Sequence, residues 1–393
     1  MHDLSGSALN RDIQIDLLTR LLAQLDQGGP EMKPHDTQIP VRNYVDPKRV
    51  EEERQTLFRR LPLVLGHASQ LKTPGDCITS DGFGLPVLAT RDRDGVLRAF
   101  LNVCRHRGTK LMTDACGHDR KSFVCPFHGW TYDLSGQLTH IPRSDGFPGV
   151  DRREHGLVPL PITSRHGLLW IHPTPGAALE LDRFVAPFEA DLEGLGLERH
   201  RIYRKVTERK RANWKLVIDT FLEGYHVPHL HQKTVHRFFR NLVFLCDRAA
   251  PHMRVAVSRT TTRDLRQQDP QSWDIRAAAT LYYFFFPNTI VLFNPDYVSV
   301  LRLFPDGPDH CIWDHEMLIP EADDTEEMRG HWQKSFELME EAVFQKEDIA
   351  AAESIQAGLR SGANEVFSLG RFEFMIQHFH DDIEAQIAKG TGR

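Results

Sequence analysis

Ile13, Leu17, Leu18, Leu21, Leu22 and Leu25 recur at spacings of three and four along residues 12–27, and the run ends in Gly28-Gly29-Pro30. That period predicts a short amphipathic helix stopped by the glycines. A second helical stretch is expected near Pro47–Arg60. From Leu85 to Val103, Val and Leu alternate with polar residues on either side of Asp94-Gly95, which reads as a β-hairpin. Turn residues then crowd positions 133–177, among them Ser135-Gly136, Asp145-Gly146, Pro148-Gly149 and Pro175-Gly176, with Gly167–Ile171 as a returning strand.

Further along, strand-like runs fall at 201–209, 252–258, 279–286, 289–294, 297–304 and 310–319. Helical patterns cover 213–226, 325–359 and 371–388. Antiparallel strands with segregated helices predict an α+β fold. The expected division is an N-terminal helical extension at 1–44, a small β domain with a helical lead-in at 45–175, and a larger domain at 176–393. There is no internal repeat and no low-complexity tract.

Composition narrows the class. A chain of 393 residues has room for two full cores, and 40% hydrophobic with 26% charged residues is the balance of an ordinary globular enzyme or binding protein. A net charge of −6, with no Lys/Arg cluster interleaved with aromatics, argues against nucleic acid as a partner. The start, Met1–Asn10, is polar and lacks the apolar region of a signal peptide. The most apolar later run, Leu281–Phe286, is stopped by Pro287-Asn288, so no membrane association is expected. Six scattered cysteines make no disulfide framework and fit a reducing cytoplasm. Cys77, Cys116, Cys246 and Cys311 are expected to be buried or inert thiols.

Cys104 and Cys125 stand apart because each is paired with a histidine. Cys104-Arg105-His106 and Cys125-Pro126-Phe127-His128 present two thiolates and two imidazoles from two short loops. Such a set suits either a tetrahedral zinc or an iron–sulfur centre in which two His replace two Cys on one iron. Gly108 and Gly129 follow the ligands where the backbone must turn and can aim N–H groups at bridging sulfides, and Trp130 and Phe127 can shield the site. These loops resemble those of the Rieske domain family, which read C-x-H and C-P-x-H-G-W. The respiratory branch of that family carries two further cysteines; Thr109 and Phe127 stand there in this chain, which points to the oxygenase branch.

A second cluster lies in Asp219-Thr220-Phe221-Leu222-Glu223-Gly224-Tyr225-His226-Val227-Pro228-His229-Leu230-His231. Glu223 and His226 share a helix face, and Pro228 lets the chain leave the helix so that His231 swings back toward His226. The segment is similar to the oxygenase motif that supplies two legs of a 2-His-1-carboxylate iron site. By that resemblance His226 and His231 are metal ligands and His229 is a bystander. For the third leg, Asp348 falls on the apolar stripe Phe344, Ala351, Ile355, Leu359, where a carboxylate needs a proton, a salt bridge or a metal. Asp348 is the expected ligand, with Glu347 its competitor.

The resemblance covers the chain from about residue 40 onward and implies a small all-β Rieske [2Fe–2S] domain ahead of a helix-grip catalytic domain, an antiparallel sheet around a long helix. It implies a cluster held by Cys104, His106, Cys125 and His128, and a mononuclear Fe(II) held by His226, His231 and Asp348. The activity implied is that of a terminal oxygenase acting on O2 and a small organic substrate. No G-x-G-x-x-G follows an expected strand, so NAD(P)H acts only through a separate reductase, with or without a ferredoxin. An aromatic or similarly apolar substrate is placed slightly ahead of a quaternary ammonium one, which Glu223 in place of the commoner Asp favours. Phe221, Phe238, Phe239 and Phe284–Phe286 are expected to be mostly core, with a pocket or cation–π role as the alternative. The family's head-to-tail homotrimer gives Glu223 a catalytic role, as a link from His226 to a cluster histidine of the next subunit. A pure electron carrier and a non-catalytic ligand-binding protein are the rival classes.

Overall fold

The computed structural model describes residues 9–391; the polar start at Met1–Asn10 lies outside them as far as Ala8. Two compact units divide the chain. Phe58–Ala186 forms one, and the segments before and after it form the other.

The Phe58–Ala186 unit is built from short antiparallel strands. Its five-stranded sheet runs in the order Pro159–Leu160, Leu97–Leu101, Val87–Arg91, Cys77–Ser80, Cys116–Gly117. The hairpin expected at Asp94-Gly95 joins its second and third strands, with Gly95 at φ +76° in a turn that a side chain would strain. Strand Leu168–Ile171 pairs on one side with Ile162–Arg165 and on the other with Leu63–His67. Leu88, Phe100, Cys104, Cys125, Trp130 and Tyr132 belong to one buried cluster, so both metal-loop cysteines point into the core.

The other unit is a seven-stranded antiparallel sheet with helices packed on it. Six consecutive strands, Phe239–Ala249, His252–Arg259, Ala279–Phe285, Thr289–Phe293, Val298–Pro305 and Cys311–Pro320, form an up-and-down meander. The first strand, His200–Lys210, closes the far edge beyond the last. Between the first strand and the meander runs the segment that carries the histidine cluster. Phe379, on the C-terminal helix Phe374–Thr391, is fully buried against Trp214, Phe284 and Phe286, with ring centroids 5.4 to 6.3 Å away.

Three expectations need adjustment. The N-terminal extension is part of the sheet-bearing unit, because Leu17, Leu18 and Leu21 of helix Arg11–Gln27 are buried and Arg20 pairs with Asp247 of the Phe239–Ala249 strand. Strand Thr37–Pro40 also pairs with Val366–Leu369. The compact β unit accordingly runs from Phe58 to Ala186 rather than from 45 to 175. The strand Phe239–Ala249 has no counterpart in the sequence reading, because a bulge between Phe239 and Phe244 breaks its alternation and puts Leu242 at φ +55°. Finally, the long helix from Arg329 to Leu359 contains a π-helical stretch, Glu337–Ile349. Its wider turns shift the buried face to Phe344, Asp348, Ala352 and Gln356, leaving Ile355 41% exposed.

Helix Trp214–Phe221 is anchored by a buried ion pair. Asn213 caps its start by accepting from Lys215 N at 3.0 Å. Lys215 Nζ donates to both Glu53 oxygens at 2.7 and 2.8 Å, and Trp214 Nε1 donates to Glu53 Oε2 at 3.0 Å, with both charged side chains fully buried. Removing one partner strands the other charge. Glu53→Ala is therefore expected to lower unfolding free energy by about 3–5 kcal/mol. Urea titration of the variant checks this, and a loss under about 1 kcal/mol would show that water or a neighbour compensates Lys215.

Candidate metal centres

The two Cys/His loops of the β unit repeat one backbone pattern. Cys104 N–H donates to the Thr109 carbonyl at 2.8 Å and Gly108 N–H to the Cys104 carbonyl at 2.9 Å. Cys125 N–H donates to the Trp130 carbonyl at 2.8 Å and Gly129 N–H to the Cys125 carbonyl at 2.9 Å. Gly108 and Gly129 take φ of +84° and +73°, which is why glycine stands at both turns. Their amides are occupied within the loops, so the expected role of aiming N–H groups at sulfides does not fall to them.

The thiols lie inward and the imidazoles outward: Cys104 and Cys125 are buried, while His106 and His128 are half-buried with ring centroids 4.7 Å apart. The His106 ring stacks on buried Trp130 at 4.9 Å, as the expected shield does. Phe127 covers one face of His128 at 3.8 Å but is itself 55% exposed. Tyr132, unremarked in the sequence, accepts from Arg105 N–H at 2.9 Å and lies with its hydroxyl 3.4 Å from Cys104 Sγ, where it can donate.

A cluster fits this donor set better than one zinc. A zinc tetrahedron with bonds of about 2.0–2.3 Å needs all four donors within about 4 Å of each other. Among the described residues, the one group whose potential ligand atoms all lie within 4.8 Å of each other is elsewhere in the chain. His128 Nδ1 is also buried with no hydrogen-bond partner, as a nitrogen reserved for a metal would be. Of the other cysteines, Cys77 and Cys311 are buried and Cys246 is half-buried, whereas Cys116 is exposed.

The second centre is that close group: His226, His231 and Asp348. Helix Trp214–Phe221 ends five residues before His226, sooner than the sequence suggests. His226 then opens a one-turn helix, Val227–Leu230, with Pro228 in the first turn where its missing N–H costs nothing, and His231 closes it. His229 is exposed and is not a member of the group.

The two Nε2 atoms lie 3.2 Å apart, and Asp348 Oδ1 is 3.2 Å from His231 Nε2 and 3.6 Å from His226 Nε2. Cis ligands on metal bonds of about 2.1 Å are about 3 Å apart, so the triangle has the size of one octahedral face. Asp348 Oδ1 is buried with no hydrogen-bond donor. Each histidine is held from its far side. His226 Nδ1 contacts Glu223 Oε1, and Glu223 Oε2 also accepts from the Tyr225 and His226 backbone. His231 Nδ1 is 2.7 Å from Glu347 Oε2, which Thr234 Oγ1 also reaches at 2.7 Å. Glu347 thus meets the ring opposite the triangle, while Asp348 completes it. Burial pushes the His231 imidazole down, but Asp348 and Glu347 outweigh it and leave it raised.

A cavity of about 270 Å³ opens beside the triangle. Phe221, Phe238, Phe239, Tyr282 and Phe344 line it, together with the bulge at Arg240–Val243. Phe284, Phe285 and Phe286 are buried in the core instead.

Residues 62–152 match the family model for the Rieske [2Fe-2S] domain, and residues 197–389 match that for the ring hydroxylating alpha subunit (catalytic domain). The carnitine monooxygenase oxygenase subunit of Escherichia coli (strain K12) is 27% identical over 368 residues, spanning 89% of this chain and 94% of the relative. The structure of a quaternary ammonium Rieske monooxygenase, described for carnitine oxidation and inter-subunit electron transfer, superposes with a TM-score of 0.75 at 20% identity, covering 90% of this chain and all of that one. Naphthalene 1,2-dioxygenase from Rhodococcus sp. superposes with a TM-score of 0.76 at 18% identity, covering 95% of this chain and 98% of that one. With the two family models matched over the segments that carry the Cys/His loops and the His226, His231 and Asp348 group, the chain belongs to the Rieske non-haem iron oxygenases, as their terminal oxygenase (alpha) subunit.

Proposed function

We propose that the chain oxidises a small organic molecule seated beside His226, His231 and Asp348, and that a quaternary ammonium compound is the first class to test. The carrying observation is the cavity that shares a wall with the triad and is lined by aromatic rings. Ring faces attract a methylated ammonium without asking for hydrogen bonds, which such a group cannot donate. The carnitine-oxidising relative supports the same class. A second reading, an aromatic or aliphatic substrate, is favoured by the apolar remainder of the wall at Val235, Val255, Val257 and Leu292.

In this reading Cys104, His106, Cys125 and His128 hold the [2Fe–2S] cluster, and His226, His231 and Asp348 hold Fe(II). Bound there, the cluster supplies electrons and the iron activates O2. The chain's own residues do the rest. Glu223 and Glu347 take the Nδ1–H of His226 and His231, which fixes both tautomers and turns both Nε2 lone pairs to the metal. The apolar walls keep bulk water from the oxidising site.

Electrons reach the chain from NAD(P)H through a separate reductase, and an intervening ferredoxin is compatible with the exposed edge at Phe127. The described cysteines are all free and no described helix is long and apolar enough to cross a membrane, which fits the proposed cytoplasmic setting. A head-to-tail homotrimer is proposed, in which Glu223 of one subunit also meets His106 or His128 of the next.

The purified protein is expected to be brown, and Cys104→Ser or His128→Ala to bleach it, because nothing nearby replaces either ligand. A colourless wild type that takes up zinc at these loops would contradict the cluster. His226→Ala, His231→Ala and Asp348→Ala are each expected to abolish mononuclear iron and O2 uptake while the cluster spectrum persists. Glu347→Gln is expected to keep the ligand set but bind iron about 10–100-fold more weakly; the reverse pattern between positions 347 and 348 would reassign the third ligand. Glu223→Gln is expected to retain trimer, colour and iron while slowing reoxidation of the reduced cluster by a large factor. Single-turnover stopped-flow measures this, and equal rates would leave Glu223 as a support for His226 alone.

A further inference from the structure

Two arginines line the cavity, and neither has a carboxylate within ion-pair distance among the described residues. Arg240 donates to the Thr260 carbonyl at 3.0 Å. Arg259, at the end of strand His252–Arg259, is the more constrained. Its guanidinium lies 5.5 and 5.6 Å from the ring centroids of Phe238 and Phe239, and its one side-chain hydrogen bond goes to Thr280 Oγ1 at 3.1 Å. Burial holds its pKa below the ordinary arginine value, against weaker pulls from Tyr297 and Asp296. Asp296 is itself bridged to His331 Nε2 at 2.5 Å.

The other charges on the cavity wall are already engaged. Glu223 is bound to His226, and Asp348 belongs to the triad. A guanidinium keeps its proton at every accessible pH, so a half-buried one without an anion carries a desolvation cost that a bound anion would offset. Thr280, Asn294 and Tyr297 share the cavity lining and add hydroxyl and amide groups that can donate to the same anion.

We propose that Arg259 is a specificity-determining anchor for a carboxylate on the substrate, so that the cavity selects organic carboxylates over uncharged or purely cationic molecules of the same body. This rests on the reading of the cavity as the substrate site. It narrows the quaternary ammonium class to zwitterions that carry a carboxylate, and the apolar class to aromatic or aliphatic acids. The two rings against Arg259 hold its plane in place, so that a fork of two N–H groups can meet the two carboxylate oxygens.

The test is calorimetric titration of the iron-loaded protein with two matched pairs: glycine betaine against choline, and 3-phenylpropanoate against 3-phenylpropanamide. In at least one pair the carboxylate is expected to bind at least about 10-fold more tightly. Arg259→Gln, checked for unchanged colour and iron content, is expected to weaken that carboxylate by about 10–100-fold while leaving its partner within about twofold. Arg259→Lys keeps the charge without the fork and is expected to retain part of the preference. Equal binding within both pairs, no binding of either carboxylate, or a Gln variant that loses both members of a pair alike would overturn the proposal. O2 uptake with a generic reductase separates this from failure of the oxygenase reading: an amide and choline that each drive uptake as well as the matching acid sink the anchor alone, whereas absent mononuclear iron sinks the functional reading itself.

Discussion

Asp348 Oδ1 is buried with no hydrogen-bond donor, 3.2 and 3.6 Å from two imidazole nitrogens that face it. An acceptor in that position is costly unless a cation takes it up. Much of the larger unit can be understood as the scaffold that makes this convergence possible. The π-helical stretch 337–349 turns Glu347 and Asp348 so that one carboxylate meets the far nitrogen of His231 and the other its near one. The buried Glu53–Lys215 pair fixes the helix that leads to His226, and the one-turn helix around Pro228 folds His231 back beside it. The sheet supplies the floor of the adjoining cavity through Val255, Val257, Thr280, Tyr282 and Leu292.

The smaller unit solves a different problem with the same economy. Two loops with matching hydrogen bonds, each turning on a left-handed glycine, place cysteines inward and histidines outward. The buried side gives the thiols a rigid seat in a core that includes Trp130 and Tyr132. The half-buried histidines form the outer side of the same loops.

How much of this was legible in the sequence depended on how local each signal was. The Cys/His loops and the acid-His-His segment could be read because their Cys, His and Glu residues sit within a few residues of one another. Six of the seven strands of the large sheet were legible, five of them from apolar runs and His200–Lys210 from isolated Ile, Tyr and Val among charged residues. The seventh, Phe239–Ala249, was hidden by its bulge, and that bulge forms part of the cavity wall. The burial expected of Asp348 holds, but the π-helix moves the buried face away from Ile355. The Glu347–His231 contact spans 116 residues, and the Arg259 environment is built from strands and rings that only folding brings together. No spacing rule reaches such contacts.

In the proposed reading this chain carries two separate iron sites with different ligand chemistry. Determination of iron and acid-labile sulfide in the purified, iron-reconstituted protein tests it most directly. Three irons and two sulfides per chain are expected, two irons in the cluster and one on the histidine–carboxylate face. Two irons with two sulfides after reconstitution would leave the His226, His231 and Asp348 triangle without its metal and reduce the chain to an electron carrier.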